Sequence, residues 1–588
     1  MTAAKPTPDP DDPSSAGPAP RAPVDVDVVV VGAGFAGMYL IHRLRRAGRS
    51  VLVFEAGTDV GGTWYWNRYP GARCDVPSME YSYSFDPELE QEWEWTELMA
   101  AQPEILDYAH HVADRFDLRR DIEFSTRVTA AHYQETEGVW WVRTDTGRDV
   151  TARWCVMATG CLSVPNRPDL PGLDRFGGTV LHTGEWPHEE PDLTGLRVGV
   201  IGTGSSGVQS IPVLAERAGA LTVFQRSPVY TIPANNKPLR PEIARAFKDR
   251  YPEIRDRQRS SVGGFLGPTA LREPRPAADP DAEPALDPGA AVVPGGDGRP
   301  ADTPEPRRRR RGLGELSPEE RRDAFDEYGR GAFQRFRDVY TDAEANELAC
   351  ELFRREIRKI VHDPETAAAL EPHHYPLACK RQVLDTDYYE TFNRPDVTLV
   401  DLRREALVTI TPTGVETSDG HHRLDVLVLA TGFDAMTGAL ERIDLRGRGG
   451  RRLGAVWADG PRTLLGLQVE GFPNLFTVTG PGSPSVLANM IVAIEQHVDW
   501  IVEAMDAVDR VGATTIEPTA AAVEEWVAHV NEVAEGTMYT APSCNSWYLG
   551  SNIEGKVRVF MPYVGGFGRY REHCLDVAAH GYPGFLLS

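Results

Sequence analysis

Cysteine is scarce in this sequence, and no two cysteines have the CxxC spacing of a redox motif or a zinc site. Zinc sites and the disulfide frameworks of small secreted proteins use closely spaced or regularly repeated cysteines. The pattern therefore predicts no metal site, no disulfide framework and a reducing, cytoplasmic location. The cysteines are Cys74, Cys155, Cys161, Cys350, Cys379, Cys544 and Cys574.

An excess of positive charge and long apolar runs are also lacking. The 62 basic residues are outnumbered by 86 acidic ones, and the net charge of −24 disfavours binding to the phosphate backbone of a nucleic acid. The longest uncharged apolar run, residues 28–41, is interrupted by glycines and is shorter than the roughly 18 residues that cross a bilayer. The N-terminus lacks the basic and apolar regions of a signal peptide. We expect no nucleic-acid partner and no membrane association.

Two stretches contain almost no large apolar side chains. Residues 1–24 are rich in proline, alanine and aspartate, and residues 267–311 have a similar composition that ends in a run of arginines. Such segments cannot bury enough surface to offset the entropy lost on ordering. They are predicted to be a disordered tail and a disordered insertion, the latter followed by helices up to about residue 369.

One pattern is present twice: a β-branched strand, a glycine-rich turn and an amphipathic helix. In such a unit the first glycine permits a tight turn, the second lets the backbone approach a pyrophosphate, and the third lets helix pack on strand. A strand before each loop and a helix after it make the motif more specific. The predicted fold is α/β, with two Rossmann-like dinucleotide-binding domains and a helical insertion. The loop glycines are Gly32, Gly34 and Gly37, then Gly202, Gly204 and Gly207.

The residue at the end of the second strand of each unit distinguishes the two cofactors. Glu55 ends that strand in the first unit, where a carboxylate accepts hydrogen bonds from ribose hydroxyls and repels an added phosphate. This site is predicted to hold FAD, or otherwise NAD. Arg226 follows the strand in the second unit, and its guanidinium suits the 2′-phosphate of NADPH. Disulfide reductases are disfavoured because Cys155 and Cys161, the nearest candidate pair, are not closely spaced, which leaves NADPH-driven monooxygenases.

The segment FGGTVLHTGEWP, residues 176–187, is not recognisable as a helix or a strand. Its pattern F-x-G-x-x-x-H-x-x-x-W-P resembles the fingerprint of type I Baeyer–Villiger monooxygenases, and GGTWYWNRYPGARCD, residues 61–75, resembles a second stretch of that family. The resemblance covers residues 25–588 apart from the insertion. It implies that the fingerprint histidine acts on domain motion and is not a catalytic base. The fingerprint residues are Phe176, Gly178, His182, Trp186 and Pro187.

The resemblance also implies a reaction and its central residues. Reduced FAD combines with O2 to form a C4a-peroxyflavin, which attacks a ketone and yields an ester or lactone. The resemblance places the stabilising arginine at Arg381, in YPLACKRQVLD, and its counter-charge at Asp75. Arginine suits this role because it stays protonated and cannot donate a proton to the peroxide.

Further contacts are implied by the same resemblance. For the isolated residues an ordinary structural role stays open: Lys380 on the surface, and Trp64, Trp66 and Trp547 in the core. The implied flavin contacts are Thr63, Trp64, Tyr65, Trp66, Asp75, Tyr81 and Met490, beside the first loop and Glu55. The implied NADPH contacts are Thr203, Ser205, Ser206, Gln209, Arg226, Ser227, Lys380, Arg381 and Trp547, and the implied substrate-pocket residues are Ser485, Val486 and Leu487, next to Met490.

The expected reaction is oxygen insertion beside the carbonyl of a cyclic, apolar ketone, with a terpenoid ketone of a pentalenolactone-type pathway as one candidate. An N- or S-oxygenating flavin monooxygenase and a non-catalytic dinucleotide sensor stay open as alternatives. The expected partners are the ketone and O2, and the chain is expected to be a monomer or a weak homo-oligomer. The predicted domains are 25–175 (FAD, first part), 176–195 (fingerprint linker), 196–425 (NADPH) and 426–588 (FAD, second part, and C-terminal region).

Overall fold

The computed structural model of the protein describes residues 22–267, 270–271 and 311–588. The predicted disordered tail and insertion lie almost entirely outside these residues. Two large sheets organise the described chain, and each contains one of the two glycine-loop units. The predicted α/β fold with two dinucleotide-binding domains is confirmed.

The first sheet is built around the strand Val26–Val31, which pairs in parallel with Val51–Phe54 on one side and Asp149–Met157 on the other. Val28, Val29 and Val30 are fully buried, as expected for a central strand covered on both faces. The eight strands are Val26–Val31, Val51–Phe54, Ile122–Glu123, Val128–Gln134, Val139–Thr144, Asp149–Met157, Asp444–Arg446 and Leu475–Thr477.

The second sheet is parallel and five-stranded. It differs from the sequence prediction in two places. Thr179–His182 forms an outer strand, so the interpretation of residues 176–187 as neither helix nor strand is wrong for its centre. A strand of four residues, of which the first two are exposed, gives little local signal and depends on its partner, Val426–Leu429. That partner also extends the sheet beyond the predicted boundary at residue 425. The strand order is Val397–Asp401, Ala220–Gln225, Arg197–Ile201, Val426–Leu429 and Thr179–His182.

Smaller sheets and helices surround these two cores. The smaller sheets pair Leu407–Thr411, Gly414–Thr417 and His421–Arg423; Thr231–Pro233 with Val383–Asp385; and Ile516–Pro518 with Phe585–Leu587. The α-helices are Phe35–Arg46, Thr63–Trp66, Pro87–Glu92, Gln102–Arg115, Ser205–Arg217, Pro241–Lys248, Tyr251–Ser260, Pro318–Tyr328, Ala343–Ile360, Pro364–Leu370, Tyr388–Thr391, Gly438–Glu441, Leu453–Val456, Met490–Arg510, Ala520–Ala534 and Phe567–Ala579.

The predicted helical region after the insertion is confirmed, and its first helix begins with a capping box. Ser317 Oγ accepts a hydrogen bond from the backbone N–H of Glu320 (3.2 Å), and Glu320 Oε2 accepts one from the N–H of Ser317 (2.7 Å). The longest helix, Met490–Arg510, packs against Phe35–Arg46 and so ties the C-terminal region to the first glycine loop. Within the described part of the chain, no helix is long and apolar enough to cross a bilayer.

The cysteine prediction needs one correction. Cys379 and Cys544, which are 165 residues apart, form a disulfide, and both are buried. The sequence pattern favoured a fully reduced protein, because spacing along the chain cannot indicate a pair that only the fold brings together. The other cysteines, including Cys155 and Cys161, are buried free thiols.

Candidate active site

The first glycine loop and Glu55 form one hydrogen-bonded unit. Gly32 has φ = +105°, and a Cβ there would lie 2.6 Å from the carbonyl oxygen of Ala158, so this turn requires glycine. The Glu55 carboxylate is buried and accepts hydrogen bonds from the backbone N–H groups of Ala33 and Gly57, both at 2.7 Å. A buried acceptor is thus held against the loop, where the ribose of a dinucleotide is expected. The backbone of Gly34 lies close to that of Gly62, and the missing side chain of Gly37 lets its helix pack against the backbone of Gly32.

The second glycine loop leaves room for a ligand. Gly202 has φ = +109° and lies against the carbonyl of Ala430, whereas a Cβ at Gly204 would meet no atom within 4 Å. Gly204 immediately precedes the helix Ser205–Arg217, whose free N–H groups and dipole favour an anion. The loop is braced by Thr203 Oγ1, which donates to the carbonyl of the exposed Ser227 (2.9 Å). Gly207 packs on Gly202, and Ser206 Oγ lies 3.0 Å from Thr183 Oγ1.

Two cations meet beyond the second strand of this unit. Arg226 is exposed, and Lys380 Nζ lies over the ring of Tyr375, 4.0 Å from its centroid. Burial and the nearby charge of Arg226 lower the pKa of Lys380 to about 8. Neither cation forms an ion pair with a described residue. A dianionic phosphate would relieve this repulsion, and the pair therefore suits the 2′-phosphate of NADPH.

The aromatic segment after the first loop is packed and hydrogen-bonded. Trp64 and Tyr65 are buried in the short helix Thr63–Trp66, whereas Thr63 is exposed and Trp66 is half-buried. Trp64 Nε1 donates to the hydroxyl of Tyr81 (3.2 Å), and Tyr65 OH accepts from the N–H of Thr58 (3.0 Å). The core interpretation holds for Trp64, and its place beside the loop agrees with a flavin contact.

Arg381 and Asp75 form the charged centre of the site. Arg381 Nε and Nη2 donate to Asp75 Oδ2 at 3.1 and 3.0 Å, and Nη1 donates to the carbonyl of Val486 at 2.9 Å. Burial opposes the charge of Arg381, but the carboxylate of Asp75 outweighs it and raises the pKa of the guanidinium. The Arg381 side chain keeps 32% of its exposure, so a ligand can still reach it. A permanently positive group is thus fixed in place and accessible.

The segment that carries Asp75 also contacts the second nucleotide unit. Tyr69 OH donates to Gln209 Oε1 (2.8 Å), and Gln209 Nε2 donates to the carbonyl of Arg73 (3.1 Å). Gln209 lies in the helix Ser205–Arg217, so these bonds join the two glycine-loop units beside Asp75. Gln209 was predicted as an NADPH contact, but its link to Tyr69 has no local sequence signal.

The predicted substrate-pocket residues form one tight turn. Ser485 is fully buried with φ = +44°, and its hydroxyl lies 3.7 Å from Met436 Sδ. Val486 is buried and anchors Arg381 through its carbonyl, whereas Leu487 and Met490 are half-buried. Trp547 is half-buried in the same apolar cluster, with its ring 4.4 Å from that of Tyr548. The cluster makes this side of the site apolar.

A family profile described as pyridine nucleotide-disulphide oxidoreductase matches residues 26–262, which include both glycine loops. A Baeyer–Villiger monooxygenase of Pseudooceanicola batsensis is 39% identical over 564 residues, with 95% of this chain and 95% of that protein covered. The chain belongs to the Baeyer–Villiger monooxygenases. The resemblance drawn from the two motifs is confirmed.

Two further comparisons concern substrates and cofactors. The structure of an oxidised steroid monooxygenase bound to NADP is 49% identical to this Baeyer–Villiger monooxygenase, with a TM-score of 0.83 and coverage of 96% of this chain and 99% of that chain. The phenazine N-monooxygenase PhzNO1 of Lysobacter antibioticus is 38% identical, with 95% of this chain and 96% of that protein covered. Relatives at similar identity therefore include a protein named for oxidation at nitrogen.

In this monooxygenase the fingerprint histidine, His182, contacts both of the chain segments that connect one sheet to the other. His182 Nδ1 accepts from the N–H of Gly184 (3.0 Å), so Nε2 carries the proton, and it lies 3.2 Å from both the carbonyl of Asn166 and Thr431 Oγ1. Asn166 lies on the connection that leaves the first sheet, and Thr431 lies on the one that leaves the second. Burial lowers the pKa of His182, which favours the neutral ring. These contacts agree with domain coupling, which stays a prediction.

The other fingerprint residues have structural contacts. A side chain at Gly178 would collide with the carbonyl of Asp425, which explains the glycine beside the outer strand. Trp186 is buried and its Nε1 donates to Glu190 Oε2 (3.3 Å). Phe176 packs against the apolar cluster under the second sheet, and Pro187 is half-buried.

Proposed function

We propose that this monooxygenase binds FAD at the first glycine loop and NADPH at the second, and converts an apolar cyclic ketone and O2 into a lactone or ester. The observation that carries the proposal is Arg381, held by Asp75 and by the carbonyl of Val486 where the nucleotide units and the pocket turn meet. The Glu55 carboxylate, which is held against the first glycine loop, supports FAD binding there. The open space at Gly204 and the two cations Arg226 and Lys380 support NADPH binding at the second loop.

The chain's own contribution to the reaction is electrostatic. FAD reduced by NADPH supplies the oxygen-activating chemistry. Arg381 stabilises the negative charge that develops on the carbonyl oxygen of the ketone, and it acts without proton transfer because its guanidinium stays protonated. Asp75 keeps Arg381 oriented and balances its charge, so the guanidinium is in place before the substrate arrives. The apolar turn at Val486 and Leu487 excludes water from that charge.

A polycyclic ketone is the substrate class that we favour. The turn Ser485–Leu487 and Met436 offer mainly apolar contacts, which select for hydrocarbon surface and not for a particular ring. The 49% identity to a protein named as a steroid monooxygenase supports fused-ring ketones, and a terpenoid ketone has the same chemical character. The cytoplasmic location and the monomeric or weakly oligomeric state stay predictions.

N-oxygenation is the second candidate, because a relative named for this reaction is 38% identical over nearly the whole chain. The two reactions differ in product and can be measured side by side. The FAD-loaded protein is reduced with NADPH, mixed with oxygenated buffer, and given a steroid ketone, a terpenoid ketone, a phenazine or an alkyl sulfide. We expect esters or lactones from the ketones. N-oxide as the dominant product would support the second candidate, and no flavin reduction by NADPH would refute both.

A further inference from the structure

A hydrogen-bond network outside the charged centre surrounds Glu80, a fully buried residue next to Tyr81. We infer that Glu80 is a positioning residue that sets the shape of the substrate pocket by holding the turn Ser485–Leu487 in place. The inference rests on the proposed function, since it concerns the pocket of that reaction. The contacts that carry it join three segments that are distant in sequence.

The carboxylate of Glu80 binds the chain at the point where the insertion begins. Oε2 accepts from the N–H of Leu266 (2.6 Å) and Oε1 accepts from the N–H of Gly267 (2.7 Å), while Gln258 Nε2 donates to Oε2 (3.2 Å). Bonds from N–H groups to a buried carboxylate are among the stronger hydrogen bonds in proteins. Both oxygens are needed as acceptors, because the two backbone donors are adjacent and each has its own oxygen.

The backbone of Glu80 binds the pocket side. Its carbonyl accepts a hydrogen bond from Asn489 Nδ2 (2.8 Å), and the N–H of Asn489 donates to the carbonyl of Gly263 (2.8 Å). Asn489 is fully buried and its Oδ1 caps the helix Met490–Arg510 through the N–H of Ile491 (3.1 Å). Glu80 and residues 263–267 thus hold Asn489 from two directions.

The pocket turn lies between this network and the catalytic arginine. Arg381 binds the carbonyl of Val486, and Asn489 follows only three residues later. The turn contains Ser485 with a positive φ, a conformation that a non-glycine residue keeps only when its surroundings hold it. Loosening the Asn489 end should therefore change the position of Val486 and Leu487 while the nucleotide loops stay intact.

The test uses the full-length, FAD-loaded enzyme and the variant Glu80→Gln. A glutamine offers one oxygen and an NH2 group that would face a donor, so one of the two bonds to residues 266 and 267 is lost. We expect the KM for the ketone to rise about tenfold, as for the loss of one charged hydrogen bond, and the ratio of the two regioisomeric esters from an unsymmetrical ketone to change. The rate of flavin reduction by NADPH should stay unchanged. Hydrogen–deuterium exchange should increase both in residues 261–267 and in residues 485–491.

Glu495→Gln is the matched control. Its carboxylate is also buried, and it accepts bonds from the N–H and hydroxyl of Ser84 instead of from residues 266 and 267. We expect this control to lose stability without a change in regioisomer ratio. If Glu80→Gln does not fold, Asn489→Ser replaces it, because the serine hydroxyl can still cap the helix but is too short to reach the Glu80 carbonyl. An unchanged KM and regioisomer ratio in a folded variant would overturn the inference, as would exchange that increases only in residues 261–267. Absence of ester from the unmodified enzyme would instead refute the proposed function, and exchange would still test the network.

Discussion

Replacing Arg381 with alanine removes the group on which the proposed chemistry depends. The variant loses two hydrogen bonds to Asp75 Oδ2 and one to the carbonyl of Val486. It also leaves Asp75, whose side chain is 15% exposed, without its counter-charge. The substitution thus has a catalytic effect and a structural effect that must be separated.

The two effects have different expected sizes. Removing one preorganised group that stabilises transition-state charge commonly costs about 3–4 kcal/mol, a factor of roughly 10²–10³ in rate. Breaking a buried ion pair costs about 3–5 kcal/mol of stability. We expect a loss of stability near the lower end of this range, because the Arg381 side chain is 32% exposed and water can reach the gap that the substitution leaves. Ester formation should therefore fall well beyond any loss of folded protein.

A second substitution separates the effects. The double variant Arg381→Ala with Asp75→Asn has no unpaired charge, so its thermal stability should recover most of the loss while ester formation stays low. Each protein is loaded with FAD, reduced anaerobically with NADPH, and mixed with oxygen and ketone. Absorbance follows flavin reduction, gas chromatography quantifies the ester, and calorimetry gives the melting temperature.

One result would refute this reasoning directly. If Arg381→Ala produces ester at a near-normal rate from reduced flavin, the guanidinium does not stabilise the reacting carbonyl. Arg381→Lys provides the charged control, since lysine keeps the positive charge but cannot form the forked contact with Asp75. We expect an intermediate rate for this control.

The remaining predictions concern the cofactor phosphate and the disulfide. Arg226→Ala should raise the Kd for NADPH far more than that for NADH, and equal weakening in a titration would exclude a 2′-phosphate role. Lys380 has a pKa lowered to about 8 by burial and by Arg226, so its charge is present below that pH and lost above it; the KM for NADPH should rise as pH passes 8, and Lys380→Arg should remove this dependence. Alkylation of the denatured, unreduced protein should label the five free cysteines but not Cys379 and Cys544, and mass spectrometry that finds these two labelled would contradict the disulfide.

Short-range patterns in the sequence were enough for much of the fold. The two glycine loops follow from the local requirement for a tight turn and for close approach of helix and backbone, and the structure has both at Gly32 and Gly202. The strands around Val28 and the helices after the insertion were likewise indicated by periodicity and composition. Family membership followed from two motifs whose residues are contiguous.

The composition of the site could be predicted only in part. Arg381 and Asp75 were identified through resemblance, since nothing in an isolated KR or CD dipeptide indicates catalysis. The hydrogen bonds from Tyr69 to Gln209 and from Asn489 to Glu80 were not predicted at all. These contacts join residues with ordinary local sequences, and their partners lie in other parts of the chain.

The sequence by itself determined where this protein turns and where it begins helices, and it predicts which nucleotide each loop prefers, because those properties depend on neighbouring residues. Only the tertiary structure decided that residues 306 positions apart, Asp75 and Arg381, form an ion pair and that Val486 completes its anchoring. It likewise decided that Thr179–His182 becomes a strand and that Cys379 meets Cys544. Contacts between distant segments depend on how the two sheets pack, and no short stretch of sequence carries that information.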